Sequence, residues 1–234
     1  MSAVYKRELK IYFYSPIAYV VIGLFIFLSS LFFNNLFYEG TTDYNSIMSS
    51  MGTIFVFLAP ILSMRIISED RKNGIDVLLF TSPQTVPNIV FGKFFALLTV
   101  FGIIMLVSLV YPVILLIFGK PFVAQIIGGY IGFILLGITF LSIGLFASSL
   151  TENQIIAAVI TFVILLSMWA TDSVSAYAGG NMKELLNWFS LISRYLDFQM
   201  GILNLSNIIY YISFTGLFLF LTLQVIERKR WGQG

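Results

Sequence analysis

Long apolar runs, separated by brief polar punctuation, organise this chain of 234 residues. Six of them read as membrane spans, over about 17–38, 47–67, 94–118, 122–150, 153–171 and 207–226. An α-helix rises about 1.5 Å per residue and a bilayer's hydrocarbon core is about 30 Å thick, so roughly 20 apolar residues cross it. The third and fourth runs exceed that minimum, which predicts tilt, a kink near Pro112, or a short re-entrant start. Only 151–154 interrupts the apolar text between the fourth and fifth runs, so one broken hairpin is the alternative to two separate spans. The first run is too long for a signal peptide, and no small-x-small cleavage site follows it.

The punctuation carries most of the information. At the start, "VYKRELKIYFY" (4–14) reads as an amphipathic helix, with basic residues suited to anionic lipid and aromatics to the membrane boundary. After the second run comes "SEDRKNGIDVLLFTSP" (68–83), which packs Glu69, Asp70, Arg71, Lys72 and Asp76 together. Arg71 and Lys72 before Asn73 and Gly74 make a helix end, with cations at the negative pole and Gly74 able to take a left-handed cap. Ile75, Leu78 and Leu79 then fall at i, i+3 and i+4, Asp76 sits in the first turn, and Ser82-Pro83 stops the element. So short a helix is marginal in water and must pack on something, either the membrane surface or a protein. A simple membrane anchor explains Arg71 and Lys72 but not Glu69, Asp70 and Asp76, so a docking element is the better reading.

Two further stretches stand out. In "SLTENQ", Thr151 reads as an N-cap with Gln154 closing a capping box and Glu152 near the positive helix end. That role alone suffices physically; Thr151, Glu152 and Asn153 are also a candidate second cytoplasmic contact. In the 35 residues of 172–206, Leu185, Phe189, Ile192 and Leu196 recur at helical spacing opposite Lys183, Glu184, Asn187 and Arg194. Trp188 and Tyr195 suit the headgroup level. This predicts a short external helix before the last span, either a prop in the outer interface or a lid over an exit path.

Composition fixes the class. Hydrophobic residues make up 59% of the chain and charged residues 10%, far from the roughly one quarter charged of soluble domains. The chain reads as an all-α integral membrane protein, a single transmembrane domain over 1–234. Lys and Arg orient it, since basic loops stay cytoplasmic. With six spans, one side holds Lys6, Arg7, Lys10, Arg65, Arg71, Lys72, Lys93, Arg228, Lys229 and Arg230, and the other only Lys120, Lys183 and Arg194. Both termini and the 68–93 loop are therefore expected in the cytoplasm.

Several functions drop out. The sequence has no Cys and no His, which removes disulfides, thiolate chemistry and the usual zinc or haem ligands. The spans carry no charge away from their ends, so nothing relays a proton. No G-x-x-x-x-G-K-[ST], H-E-x-x-H or G-x-S-x-G occurs. The chain is therefore not expected to be an enzyme. Uncharged spans in a chain with 24 Phe suit lipids, amphipathic peptides or hydrophobic drugs better than small ions. Gly128 with Gly132, and Gly144 with Ser148, are spaced to let helix backbones approach.

Three patches carry a family resemblance. "SEDRKNGIDVLLFTSP" followed by "GKFFA" (92–96) resembles the cytoplasmic loop of type-2 ABC-exporter (ABC-2) permeases. "GLFASSLTENQIIAA" (144–158) is similar to that family's join between fourth and fifth spans, and "WFSLISRYLDFQMGI" (188–202) resembles its last external segment. Among that family, the chain resembles permeases of gliding motility and nitrous-oxide-reductase maturation. Ile75 stands where the family usually has Thr, Asp70 is the second acid of the leading pair, and Arg194 replaces a frequent His. The resemblance implies a plasma-membrane (inner-membrane) permease that pairs with a second permease, identical or related, above two ATP-binding subunits, which would bind ATP and Mg. No cofactor is expected in this chain, and no nucleic-acid partner; membrane lipid is one. The loop helix would be the coupling helix, with Glu69, Asp70, Arg71, Lys72 and Asn73 in polar contact with the ATPase, Gly74 at the bend, and Ile75, Asp76, Leu78 and Leu79 in the joint. The first and fifth spans would line the interface between permeases. The rival reading is a non-transporting scaffold or sensor whose loop docks another cytoplasmic partner.

Overall fold

A computed structural model describes residues 1–39, 44–75, 84–119, 121–177 and 190–232. These form ten helices, with no strand among the described residues. Helix α1 (Ser2–Tyr14) ends at extended Ser15, and Pro16 opens α2 (Pro16–Glu39), where its missing N–H is harmless and its fixed φ suits the first turn. Then come α3 (Tyr44–Ser63), α4 (Arg65–Lys72), α5 (Val86–Ser108), α6 (Val110–Phe118), α7 (Val123–Leu150), α8 (Gln154–Tyr177), α9 (Leu191–Gln199) and α10 (Leu205–Gly232). Six segments are long and apolar enough to cross a membrane: Pro16–Asn35, Tyr44–Lys72, Val86–Phe118, Val123–Leu150, Gln154–Thr171 and Leu205–Arg230. The fourth and fifth are separate spans, parted at 151–153.

Near Pro112 the regular helix is interrupted at Leu109, between α5 and α6, where the Leu109 N–H turns to the Leu106 carbonyl at 3.3 Å. Pro112 has no N–H to offer the Ser108 carbonyl one turn back, and its ring crowds that oxygen. The freed carbonyl accepts instead from the Tyr130 hydroxyl at 2.8 Å. Beside it, Tyr111 donates to the Ile26 carbonyl at 3.0 Å, tying α6 to α2.

Helix α7 is the axis of the bundle. At 28 residues it is about 42 Å long, and it is the most buried span. Its glycines are where its neighbours come closest. A Cβ on Gly132 would stand 2.5 Å from Phe198 Cβ of α9, one on Gly137 would stand 2.2 Å from the Phe101 ring of α5, and one on Gly144 would stand 2.0 Å from Ser63 Oγ of α3. Between these contacts, Phe55 sits among the rings of Phe25, Phe101, Phe133 and Phe140. Helix α10 runs parallel to α7, with Thr215 against Thr139 and Phe218 against Phe146. The spans over Pro16–Asn35, Gln154–Thr171 and Leu205–Arg230 leave most of their surface bare.

The external segment differs from its sequence expectation. Leu185, Phe189, Lys183, Glu184, Asn187 and Trp188 lie outside the described residues. In α9 the inward face is Leu191, Tyr195 and Phe198, not Ile192 and Leu196; Leu196 is exposed. Tyr195 faces the bundle rather than lipid: it is fully buried and donates to the Met48 carbonyl at 2.7 Å. Gly128 and Gly132 open a seat on α7 deep enough to take α9 into the bundle, which rotates its buried face by one residue. Ser190 caps α9, its Oγ accepting from Ser193 N–H at 3.2 Å.

Candidate functional site

At the end of the bundle opposite α9, the second span is interrupted. The regular helix lapses between Ser63 and Arg65, although the Met64 backbone stays in the right-handed helical region and its N–H donates to the Pro60 carbonyl at 2.9 Å. Pro60 lies within the last turn before the lapse. Side chains from three other helices fill it. Tyr12 of α1 donates to the Leu62 carbonyl at 2.8 Å. Ser148 of α7 accepts from Ile67 and Ser68 N–H, each at 3.1 Å, and donates to the Met64 carbonyl at 2.9 Å. Lys93 of α5 donates to the Ile66 carbonyl at 2.6 Å. Burial, with Glu8 nearby as the next cause, pushes the Tyr12 hydroxyl well above the usual tyrosine range, so it stays a donor.

Lys93 is the centre of the site. It is 2% exposed, and besides Ile66 it reaches Glu8 Oε1 at 2.8 Å and Asp70 Oδ2 at 2.5 Å. The other Asp70 oxygen accepts from Arg7 at 2.6 Å, and Arg7 also lies 3.9 Å from Glu8. Two carboxylates and two cations, with Lys93, Glu8 and Asp70 all buried, therefore join α1, α4 and α5. A buried charge of this kind persists only when its partners are fixed around it. Gly92 lets the joint close: a Cβ there would meet Val4 of α1 at 3.1 Å. A second ion pair lies along α4, where Arg65 Nε meets Glu69 Oε2 at 2.9 Å while Arg65 also donates to Ser15 Oγ at 2.7 Å and sits over the Tyr12 ring. A cavity of about 150 Å³ opens between α1 and α4, lined in part by Arg7, Tyr12, Arg65, Glu69 and Asn73.

Among the described residues, no three His, Cys, Asp or Glu are grouped to hold a metal ion. The contacts of this site fasten three helices to one another at one end of the bundle. The family model described as "ABC-2 family transporter protein" matches residues 13–233. The chain belongs to the ABC-2 transporter family. No curated protein matches the sequence. The membership makes it a multi-pass membrane component of an ABC transporter, whose ATPase is carried by separate subunits, so an ATP-binding subunit is a partner.

Within the permease, the residues singled out in the sequence separate by burial. Asp70 is turned inward and both its oxygens are occupied. Glu69 is partly exposed and paired with Arg65. Arg71 reaches across to the Ser149 carbonyl at 2.5 Å, at the end of α7. Lys72, Asn73 and Gly74 are exposed, and Gly74 takes the left-handed cap at φ +67°, closing α4 through Gly74 N–H to the Arg71 carbonyl. Ile75 is half-buried, and Asp76, Leu78 and Leu79 lie outside the described residues. Thr151 is not the cap of α8. Asn153 is: its Oδ1 accepts from Ile155 N–H at 2.9 Å, and Thr151 Oγ1 merely accepts from Asn153 N–H. The helix starts two residues later than the capping box required. Glu152 and Asn153 are exposed. Sequence reasoning did not single out Glu8 or Tyr12, counted Lys93 only among the cytoplasmic cations, and named Ser148 only for helix packing. Their signals were faint: an acid between Arg7 and Lys10, a lysine just after Gly92, and a serine spaced from Gly144 for packing.

Proposed function

We propose that the chain is the permease subunit of an ATP-driven exporter in the plasma (inner) membrane, with both termini cytoplasmic. In this reading it acts as one domain over 1–234, pairs with a second permease, identical or related, and sits above two copies of an ATP-binding subunit that hold ATP and Mg. The likeness to permeases of gliding motility and nitrous-oxide-reductase maturation belongs to the same reading. The observation that carries it is the Glu8–Lys93–Asp70 joint. It makes α4 a rigid outcrop of the bundle, while Lys72, Asn73 and Gly74 beyond it stay free to be gripped.

In mechanism, the ATPase engages the end of α4 and the segment after it, from Glu69, Arg71, Lys72, Asn73 and Gly74 through Ile75, Asp76, Leu78 and Leu79. Thr151, Glu152 and Asn153 form a second contact, since Arg71 reaches the end of α7 next to them. Asp70 serves as a positioning residue, holding α4 rather than touching the partner. When ATP draws the ATPases together, the outcrop follows and carries α1, α4 and the start of α5 as one body. The equilibrium between two arrangements of the spans shifts because the closed ATPase pair binds one of them better.

The test is purification from native membrane of the parent chain and a Lys72→Glu, Asn73→Ala, Glu152→Lys variant. The variant is expected to insert and fold like the parent but to lose the co-purifying ATP-binding subunit. A variant that retains the ATPase in full defeats the assignment. An Asp70→Lys variant is no test of an outward contact, because it sets a third cation against Lys93 and Arg7.

A further inference from the structure

We propose that the fourth span, α7, is the rod that carries motion from the docking segment into the membrane, and that Ser148 is the positioning residue that pins the rod to α4. The proposal rests on the transport reading above and adds the path the force takes. The obvious lever is α3, because α4 continues it in sequence. Yet α3 is a poor lever. Its regular helix ends at Ser63, the Met64 N–H bonding back to the Pro60 carbonyl at 2.9 Å before α4 begins, and Pro60 has itself removed one bond from the preceding turn. A helix with missing ladder bonds bends there under load.

Helix α7 has the opposite character. It runs unbroken over Val123–Leu150 and contains no proline. At its end two contacts clamp it to α4. Ser148, with 0% exposure, uses its one hydroxyl for three bonds to α4 and the lapse, to Ile67 N–H, Ser68 N–H and the Met64 carbonyl. Arg71, one turn on, donates to the Ser149 carbonyl, a cation at the negative pole of α7. The two attachments lie at different points along α4, so they fix its direction as well as its position. Gly144 brings α7 close enough for this, with Ser63 Oγ where its Cβ would stand. The amides of Ile67 and Ser68 are buried donors; without the Ser148 oxygen they lose a partner at the point where the helix is already weak. Pushing α4 therefore moves α7 directly, and α3 flexes at Met64 to accommodate it.

The absence of cysteine makes the test clean. Spin labels on Lys72→Cys with Leu150→Cys report α4 against the end of α7. Labels on Phe57→Cys with Leu150→Cys report α3 beyond the lapse against the same point; Phe57 and Leu150 are both exposed. Distances are measured on the full chain in lipid nanodiscs, alone and assembled with its ATP-binding subunit, before and after ATP is trapped. In the assembly the 72–150 distance is expected to stay narrow and unchanged while the 57–150 distance shifts. Ser148→Ala is expected to broaden the 72–150 distribution and make it move with nucleotide, and Ser148→Thr, which keeps the hydroxyl, to hold it narrow. A 72–150 distance that shifts with ATP in the parent background overturns the pin, and needs no variant to fold. A fixed 57–150 distance in the assembly overturns the rod. If no ATP-binding subunit assembles, the transport reading fails by itself; the pin is then decided on the isolated chain, where an unchanged 72–150 distribution in Ser148→Ala overturns it.

Discussion

Replacing Lys93 by methionine gives the sharpest perturbation of the joint. The change keeps the length of the side chain and removes its charge, and with it the contacts to Glu8 at 2.8 Å, Asp70 at 2.5 Å and the Ile66 carbonyl at 2.6 Å. Breaking a buried ion pair from one side costs about 3–5 kcal/mol, because the partner is left charged and dry. The two carboxylates do not suffer equally. Arg7 stays on Asp70 at 2.6 Å but is 3.9 Å from Glu8, so Glu8 becomes the orphan. In a chain of this size each kcal/mol moves the melting temperature about 2–4 °C, so Lys93→Met is expected to melt roughly 6–20 °C early. The assay is thermal unfolding in nanodiscs, followed by size-exclusion recovery. The asymmetry supplies the decisive control: adding Glu8→Gln to Lys93→Met recovers more stability than adding Asp70→Asn. If Lys93→Met melts with the parent, or Asp70→Asn rescues and Glu8→Gln does not, the account of the joint is wrong.

Three other outcomes follow from the same coordinates. Gly132→Ala pushes a Cβ into Phe198 and is expected to cost about 1–3 kcal/mol, whereas Gly23→Ala, with nothing within 4 Å, is expected to stabilise α2 slightly; thermal melts of the pair check both. Asn153→Ala removes the cap of α8 and is expected to cost about 1 kcal/mol, with faster amide exchange at Ile155 and Ile156, while Thr151→Ala costs less. The Tyr12 hydroxyl is held protonated by burial, so its folded-state pKa lies above the unfolded value of about 10. The stability this contributes is complete below that unfolded value and declines as pH rises beyond it toward the folded one. Melting temperature should therefore fall with alkaline pH in the parent, and Tyr12→Phe should flatten that fall.

The spans were legible because their signal is local and long. Six apolar runs of sufficient length needed no knowledge of neighbours, and the helix end at Asn73-Gly74 was written in two residues. What failed was anything set by a neighbouring helix. Leu196 and Ile192 fit a helical stripe, but the buried face of α9 was decided by the seat that Gly128 and Gly132 cut in α7, a feature some 60 positions away in the chain. Thr151 and Asn153 are both good caps, and only the true start of α8 chooses between them. Asp70 reads as an outward charge because nothing near it in sequence reveals Lys93, 23 positions on, or Arg7, 63 positions back.

That hidden pairing bears on what the joint is for. Buried ion pairs are poor stabilisers: desolvation consumes most of their attraction, and packed apolar groups of the same volume do as well or better. A membrane protein with so few charges had cheaper ways to hold α1 against α5, as the Val4–Gly92 contact already does. What the charges add is intolerance of the intermediate. If α1 slips one turn along α4, Glu8 leaves Lys93 and Arg7 leaves Asp70 together, stranding buried charge on three helices at once, so sliding is penalised far more steeply than it would be across a greasy interface. In the proposed function, where α4 follows a docked ATPase, that property keeps it from creeping. The lapse at Met64 next to it supplies the complementary one, a single place where bending is easy. On the same proposal, stiffness on one side and a break in the regular helix on the other favour rotation of α4 about Met64, the motion a docked partner would drive.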